Sequence, residues 1–337
     1  MVARRTLKDV AQEAGVSAST VSRVIHGLPV KKTTRQRVES VIMASGYSPN
    51  LAARSLKTRS TQTIVCAIRG LLSPAMSPFL RGVEQTVREA GYRLVLMGVE
   101  EDALSQRETL TRLSGDGFDG LIFSGAPDHT EEINEVISRL SLPAVVVDRE
   151  PTHAIDTISI AHETGMRMAI GHLHALGHKR IALITGSNKI RPGAARIQGF
   201  RDAVQTYFGQ TSEAVVFDGC NEPEAAFIVA SGLLAGVDRP TALISGGMTL
   251  LPGVLQAIQA QGLDIGKDIS VIAGCDSDLA ALTSPSITAI RWDLVKWGAF
   301  SAQMLLEQIH EPGPRPAQHV MLPVDLVCRQ SCAALHT

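Results

Sequence analysis

Residues 6 to 26, TLKDVAQEAGVSASTVSRVIH, constrain this chain most, because two helical periodicities meet there at one glycine. Leu7, Val10, Ala11 and Ala14 recur at helical spacing and form one apolar stripe. Gly15 ends that helix, since glycine reaches the left-handed conformation a helix end often needs. Val16 fills the corner, Ser17 is placed to cap the next helix, and Val21, Val24 and Ile25 form a second stripe. Two helices joined by a short glycine-containing turn make a helix-turn-helix, whose second helix lies in the DNA major groove. Facing outward on that helix are Ala18, Ser19, Ser22 and Arg23, with Thr20 beside the turn. The same pattern also suits a hairpin that only builds a core, and charge decides between the two. Residues 1–60 hold eleven basic side chains against three acidic ones, a net +8, so the remaining twenty-one basic and thirty acidic residues carry −9. A basic head on an acidic body is the footprint of a phosphate-backbone binder.

At 337 residues and 45% hydrophobic content the chain exceeds one small domain and can bury a large core. It has no apolar run of about 18 residues and no apolar leader, so a cytoplasmic protein without a membrane partner is expected. Cys66, Cys220, Cys275, Cys328 and Cys332 contain no CxxC pair, and an odd count makes a poor disulfide framework, so free thiols are expected.

A third amphipathic helix is expected over 33–45, closed by Gly46. The segment 51–57, LAARSLK, reads as a short helix that needs a partner to be stable, and 58–63 as a linker. From Ile64 the texture changes to short apolar runs alternating with amphipathic stretches. Strands are expected at 64–68, 93–97, 120–125 and 143–148, then at 181–186, 214–217, 241–245 and 270–276. Helices are expected between them at 79–90, 104–113, 131–140 and 163–176, then at 193–206, 223–235 and 250–261. Such alternation predicts an α/β fold of two doubly wound parallel-sheet lobes, with ligands held outside the carboxyl ends of the strands.

TLKDVAQEAGVSASTVSRVIHG, then VxxxTRxRV (30–38), GYSPN, ARSL, LGHKRIALITG, ARIQGF and DISVIAGCD, in this order and spacing, resemble the LacI/GalR transcription regulators along essentially the full length. The resemblance implies a helix-turn-helix domain (1–49), a hinge helix and linker (50–62) and a core resembling periplasmic binding proteins (63–337). In that core, lobe 1 takes about 63–160 and 291–322, lobe 2 about 161–290 and 323–337, and a last helix over 294–311 belongs to lobe 1. It also implies a homodimer on a near-palindromic double-stranded operator, acting as a repressor under a small-molecule effector. Matched base-reading positions are Ala18, Ser19 and Arg23; Ser17, Thr20, Ser22 and His26 match phosphate or auxiliary contacts. Asn50, Ala53 and Leu56 fall on the hinge helix, Leu56 at the leucine wedged into the minor groove. Lys31 departs from the pattern, where a capping serine usually opens the third helix.

The matching effector positions are Ser73, Met76, Ser124, Asp148, Arg149, Arg191, Arg196, Asn221, Met248 and Asp276. Ala75 and Met76 stand where aromatic groups are often seen, and Met248 where an acid or amide is common. If Arg149, Arg191 and Arg196 all face the cleft, it suits a sugar acid or sugar phosphate, because guanidinium forks match carboxylate and phosphate. If Arg149 and Arg191 are solvated rim residues, one of them pairing with Asp148, that preference goes.

No cofactor or metal motif survives scrutiny. Gly115-Asp-Gly-Phe-Asp-Gly120 fits GxGxxG but follows a helix and opens a strand, the reverse of a dinucleotide fingerprint. His172, His174 and His178 are interrupted by Gly177 and lack the zinc-protease glutamate. Ser187 and Ser245 form no nucleophile elbow. The expected function is therefore non-enzymatic; the competing class is a cytosolic solute binder or enzyme on the same two-lobed core.

Overall fold

The structure, a computed structural model, describes residues 5–25, 27–47, 60–71, 73–100, 102–115, 117–125, 131–150, 155–209, 213–313 and 315–335. The chain divides into two compact units, Met1–Thr61 and Gln62–Thr337.

The small unit contains α1 (Leu7–Glu13), α2 (Ala18–Ile25) and α3 (Lys32–Ser45). A capping box opens α1: the Thr6 N–H donates to Asp9 Oδ2 at 2.8 Å and the Asp9 N–H to Thr6 Oγ1 at 3.4 Å. Gly15 turns the chain with φ 61°, a conformation that other residues adopt only with strain. Val10, Ala11, Ala14, Val21, Val24, Val38 and Tyr47 form the core, so the two stripes do meet. Lys31 supplies no side-chain cap to α3, which still begins beside it, one residue earlier than its periodicity predicts.

In the large unit the order is β1 (Thr63–Ile68), α4 (Met76–Glu89), β2 (Arg93–Gly98), α5 (Ala103–Leu113), β3 (Gly120–Ser124), α6 (Glu131–Ser138), β4 (Ala144–Val147) and β5 (Asp156–Ile160). Then come α7 (His162–Ala175), β6 (Ile181–Ile184), α8 (Arg191–Phe208), β7 (Val215–Phe217), α9 (Pro223–Ala235), β8 (Ala242–Ser245), α10 (Leu251–Ala260) and β9 (Ser270–Ala273). The chain closes with α11 (Asp278–Leu282), β10 (Thr288–Arg291), α12 (Leu294–His310), β11 (His319–Leu322) and β12 (Asp325–Val327). Two six-stranded sheets result, ordered β11-β5-β4-β3-β1-β2 and β12-β10-β9-β8-β6-β7. Pairing is parallel throughout except between β10 and β12, which run antiparallel. The central strands β1, β3, β4, β6, β8 and β9 are buried almost end to end, which is why they read as continuous apolar runs.

The chain passes from the first sheet to the second after β5, returns through α12 to β11, and crosses again to β12. Helix α12 packs on α4 and on strands of the first sheet. Its contact with α4 is backbone-close: a Cβ on Gly82 would lie 2.0 Å from the Val295 carbonyl oxygen, and one on Gly298 1.9 Å from that of Phe79. The five-residue α11, capped by Ser277 Oγ accepting from the Ala280 N–H, is too short to show a period in the sequence.

Candidate functional site

Helix α2 presents an exposed, mostly small surface at its start. Ser17 Oγ accepts from the Thr20 N–H at 3.2 Å and lies 2.8 Å from both Ser19 Oγ and Thr20 Oγ1. Ala18, Ser19 and Arg23 are exposed, Thr20 and Ser22 half-buried, while Val21 and Val24 hold the helix to its core. Arg23 spends one Nη2 donor on the Pro29 carbonyl at 2.8 Å. His26, Asn50, Ala53 and Leu56 lie outside the described residues.

In the large unit, a cavity of about 400 Å³ opens at the carboxyl ends of both sheets. Ser73, Met76, Ser124, Asp148, Arg196, Asn221 and Met248 line it, seven of the ten effector positions named from sequence. The other three are engaged elsewhere. Arg149 is 2% exposed and its Nη1 donates to the Gly125 carbonyl at 3.2 Å. Arg191, at 4% exposure, donates from Nη1 to Asp148 Oδ1 at 3.0 Å and to the Ile160 carbonyl at 3.1 Å. Asp276 receives both ends of the Arg329 guanidinium, at 2.7 and 2.9 Å. Arg149 and Arg191 are therefore neither solvated rim residues nor part of the cavity wall: Asp148 does pair with one of them, Arg191, and of the three arginines only Arg196 lines the cavity.

Asp148 anchors the cleft. Its φ is 50°, in the left-handed region, and its backbone N–H donates to the Ile158 carbonyl at 2.8 Å. Oδ1 accepts from Arg191 and from the Ile160 N–H at 3.3 Å, and Oδ2 lies 2.9 Å from His162 Nε2. Burial alone would raise the carboxyl pKa, but His162, Arg191 and Arg196 outweigh it and hold the group below the usual aspartate value. His162 is pushed the other way. Burial and the Arg196 charge lower its pKa against the pull of Asp148, leaving a neutral imidazole to donate to the carboxylate.

Arg196 is the contrast: among the described residues its buried Nε has no hydrogen-bond partner. Burial, set against nearby Asp148, lowers its pKa, yet a guanidinium stays charged. Two further donors on the same wall, Trp292 Nε1 and Trp297 Nε1, are buried without partners among the described residues. Trp292 meets His162 edge-on at 5.7 Å between ring centroids, and Trp297 lies 4.8 Å from Phe79. The aromatic wall thus comes from the segment after β10 and from α12, not from positions 75 and 76 after β1. Arg69, His162, Glu222, Trp292 and Trp297 line the cavity and escaped the sequence reading. Arg69 and Trp292 directly follow strand ends, and the rule placing ligands outside carboxyl ends could have found both. The lining thiols do not suit nucleophilic chemistry: burial pushes Cys275 up to about 12 and also raises Cys220. No helix among the described residues is long and apolar enough to cross a membrane.

Comparison with known proteins agrees with this geometry. Residues 6–50 match the model of bacterial regulatory proteins of the lacI family, and residues 170–332 that of a periplasmic binding protein-like domain. The ribose operon repressor of Escherichia coli (strain K12) is 33% identical, covering 91% of this chain and 94% of its own length. The HTH-type transcriptional repressor PurR of Photobacterium profundum is 30% identical over 98% of this chain and 99% of its own length. Among solved structures, the lac repressor dimer bound to operator and the anti-inducer ONPF superposes with TM-score 0.86 at 28% identity, covering 98% of this chain and 100% of that one. This chain belongs to the LacI family of bacterial regulatory proteins, and its relatives are transcriptional repressors rather than enzymes.

Proposed function

We propose that the chain is a homodimeric transcriptional repressor that reads a near-palindromic operator through α2 and is controlled by a small sugar-like effector with an acidic end. The observation that carries the effector class is Arg196, which lines a cavity of about 400 Å³ and whose buried Nε has no partner among the described residues. A buried donor without a partner is costly, and a carboxylate or phosphate satisfies a guanidinium fork best. That volume is in the range of small-molecule sites and suits a single sugar ring. The names of relatives support the general class: a ribose operon repressor, and a regulator solved with cellobiose.

Self-association is supported by exposed apolar side chains. Val95 and Leu96 stand on β2, the edge of the first sheet, and Leu279 and Leu282 on α11. An apolar strand edge is a pairing surface unless covered. A twofold dimer offers two reading helices to two half-sites, as a palindrome requires. The effector then alters operator affinity only by its differential affinity for the two states of the protein.

Calorimetric titration with glucose, glucuronate and glucose 6-phosphate tests the effector class; tighter binding of the neutral sugar would remove it. A mobility-shift assay on a palindromic duplex of about twenty base pairs at two salt concentrations tests the operator reading. Equal affinity for random DNA would favour a solute binder with a nonspecific basic head.

A further inference from the structure

Arg191 is the first residue of α8, on the second sheet's side of the cleft, yet two of its anionic neighbours belong to the first. Besides its bonds to Asp148 and the Ile160 carbonyl, it lies 3.8 Å from Glu150, which follows β4 with Asp148, and 3.9 Å from Glu163 on α7. One buried cation therefore stands among three carboxylates drawn from both lobes.

We infer that Arg191 is a built-in clasp that holds the lobes together and spends Asp148 internally, so that this carboxylate has little acceptor capacity left for a ligand in the cavity. A carboxylate has about four acceptor positions. At Asp148 three are taken, by Arg191, the Ile160 N–H and His162, all from within the protein. A sugar hydroxyl that needs an acceptor meets a carboxylate already matched by its neighbours. Arg191 touches none of the cavity space, so it acts through Asp148 as a positioning residue. Its removal leaves Asp148, Glu150 and Glu163 facing one another, and like charges at such a boundary favour separation of the lobes. The selectivity half rests on the effector reading above; the clasp does not.

Trp292 and Trp297 are the protein's two tryptophans and both line the cavity, so intrinsic fluorescence reports its closure without any ligand. In the full-length chain, Arg191→Met is expected to red-shift the emission and increase acrylamide quenching, and Arg191→Lys to stay near wild type. In calorimetry, wild type is expected to prefer glucuronate over glucose, and Arg191→Met to lose at least tenfold of that preference. Adding Asp148→Asn to Arg191→Met should restore preference for the acid, because the exposed carboxylate is gone, an outcome that simple loss of folding cannot give. Unchanged emission in Arg191→Met overturns the clasp, and an unchanged acid preference in a variant that still binds overturns the selectivity. If wild type takes neither sugar, the effector reading is what fails, and the clasp is decided by fluorescence alone.

Discussion

Helix α2 and the cleft solve opposite problems. On α2 the polar residues assigned to DNA lie within one stretch of sequence, held by a core of seven buried apolar side chains. The cleft gathers residues at or just beyond the ends of β1, β3, β4, β5, β6, β7, β8, β9 and β10, from Arg69 to Trp297, over two extensive cores. The first site is local and lightly supported; the second is distant in sequence and heavily supported. A single core change should therefore abolish the first while the second survives, and a single charge change should blunt the second without touching the first.

The largest expected effect follows from Val21→Asp. Val21 is fully buried, and an unpaired carboxylate there costs several kcal/mol. A unit of this size rarely has more than about 3–5 kcal/mol of core stability to lose. Operator binding in a mobility-shift assay should disappear, while calorimetric effector binding persists because the large unit has its own cores. Loss of both would mean that the two units do not fold independently. Next comes Arg196→Met, which removes a charged donor from the cavity and should weaken an acidic effector by about 1.5–3 kcal/mol. Operator affinity measured without effector should not change.

The same contrast explains what the sequence could disclose. Helical periodicity and Gly15 located the turn, because both stripes and the stop signal lie within twenty residues. The two sheets were equally legible, since strands buried on both faces write continuous apolar runs. The partners of the arginines were not. Arg149, Arg191 and Arg196 all lie near strand ends and helix starts. What separates them is whether a carbonyl or carboxylate from a distant segment reaches them first: Gly125 and Ile160 do so for two, and no described residue reaches the Nε of the third. Asp276 carries the same lesson, since Arg329, fifty-three positions away, covers it. Pairing across such separations leaves no periodicity to read.

A smaller effect distinguishes two cations in the reading unit. Arg23→Ala should cost about 1–3 kcal/mol and relax selection at one base position, provided Arg23 leaves Pro29 for a base edge on binding. Lys31→Ala should weaken all duplexes alike and reduce the salt slope by about one. Uniform loss in both variants, measured against a library of single-base operator changes, would remove the base-reading role from Arg23.

The smallest effect, and the one that probes the cleft's electrostatics without ligand, is on pH dependence. His162 has its pKa lowered in the folded chain, by burial and Arg196 against the opposing pull of Asp148. The unfolded chain then binds the proton first, at about 6.5, so stability declines as pH falls below that value until the folded pKa is passed. Asp148 has the opposite relation to its window: with its pKa held low by His162, Arg191 and Arg196 despite burial, its contribution is complete above about 3.9 and is lost only as pH falls through the folded value. The two windows open at different pH, at about 6.5 for His162 and about 3.9 for Asp148. Thermal midpoints followed from about pH 7.5 down to about 4.5 should therefore fall in wild type and flatten in His162→Gln. A wild-type profile already flat across the upper window would mean that His162 is charged when folded. Asp148 would then be balanced by the imidazolium as well as Arg191, and Arg196 would be more strongly in need of an anion from outside.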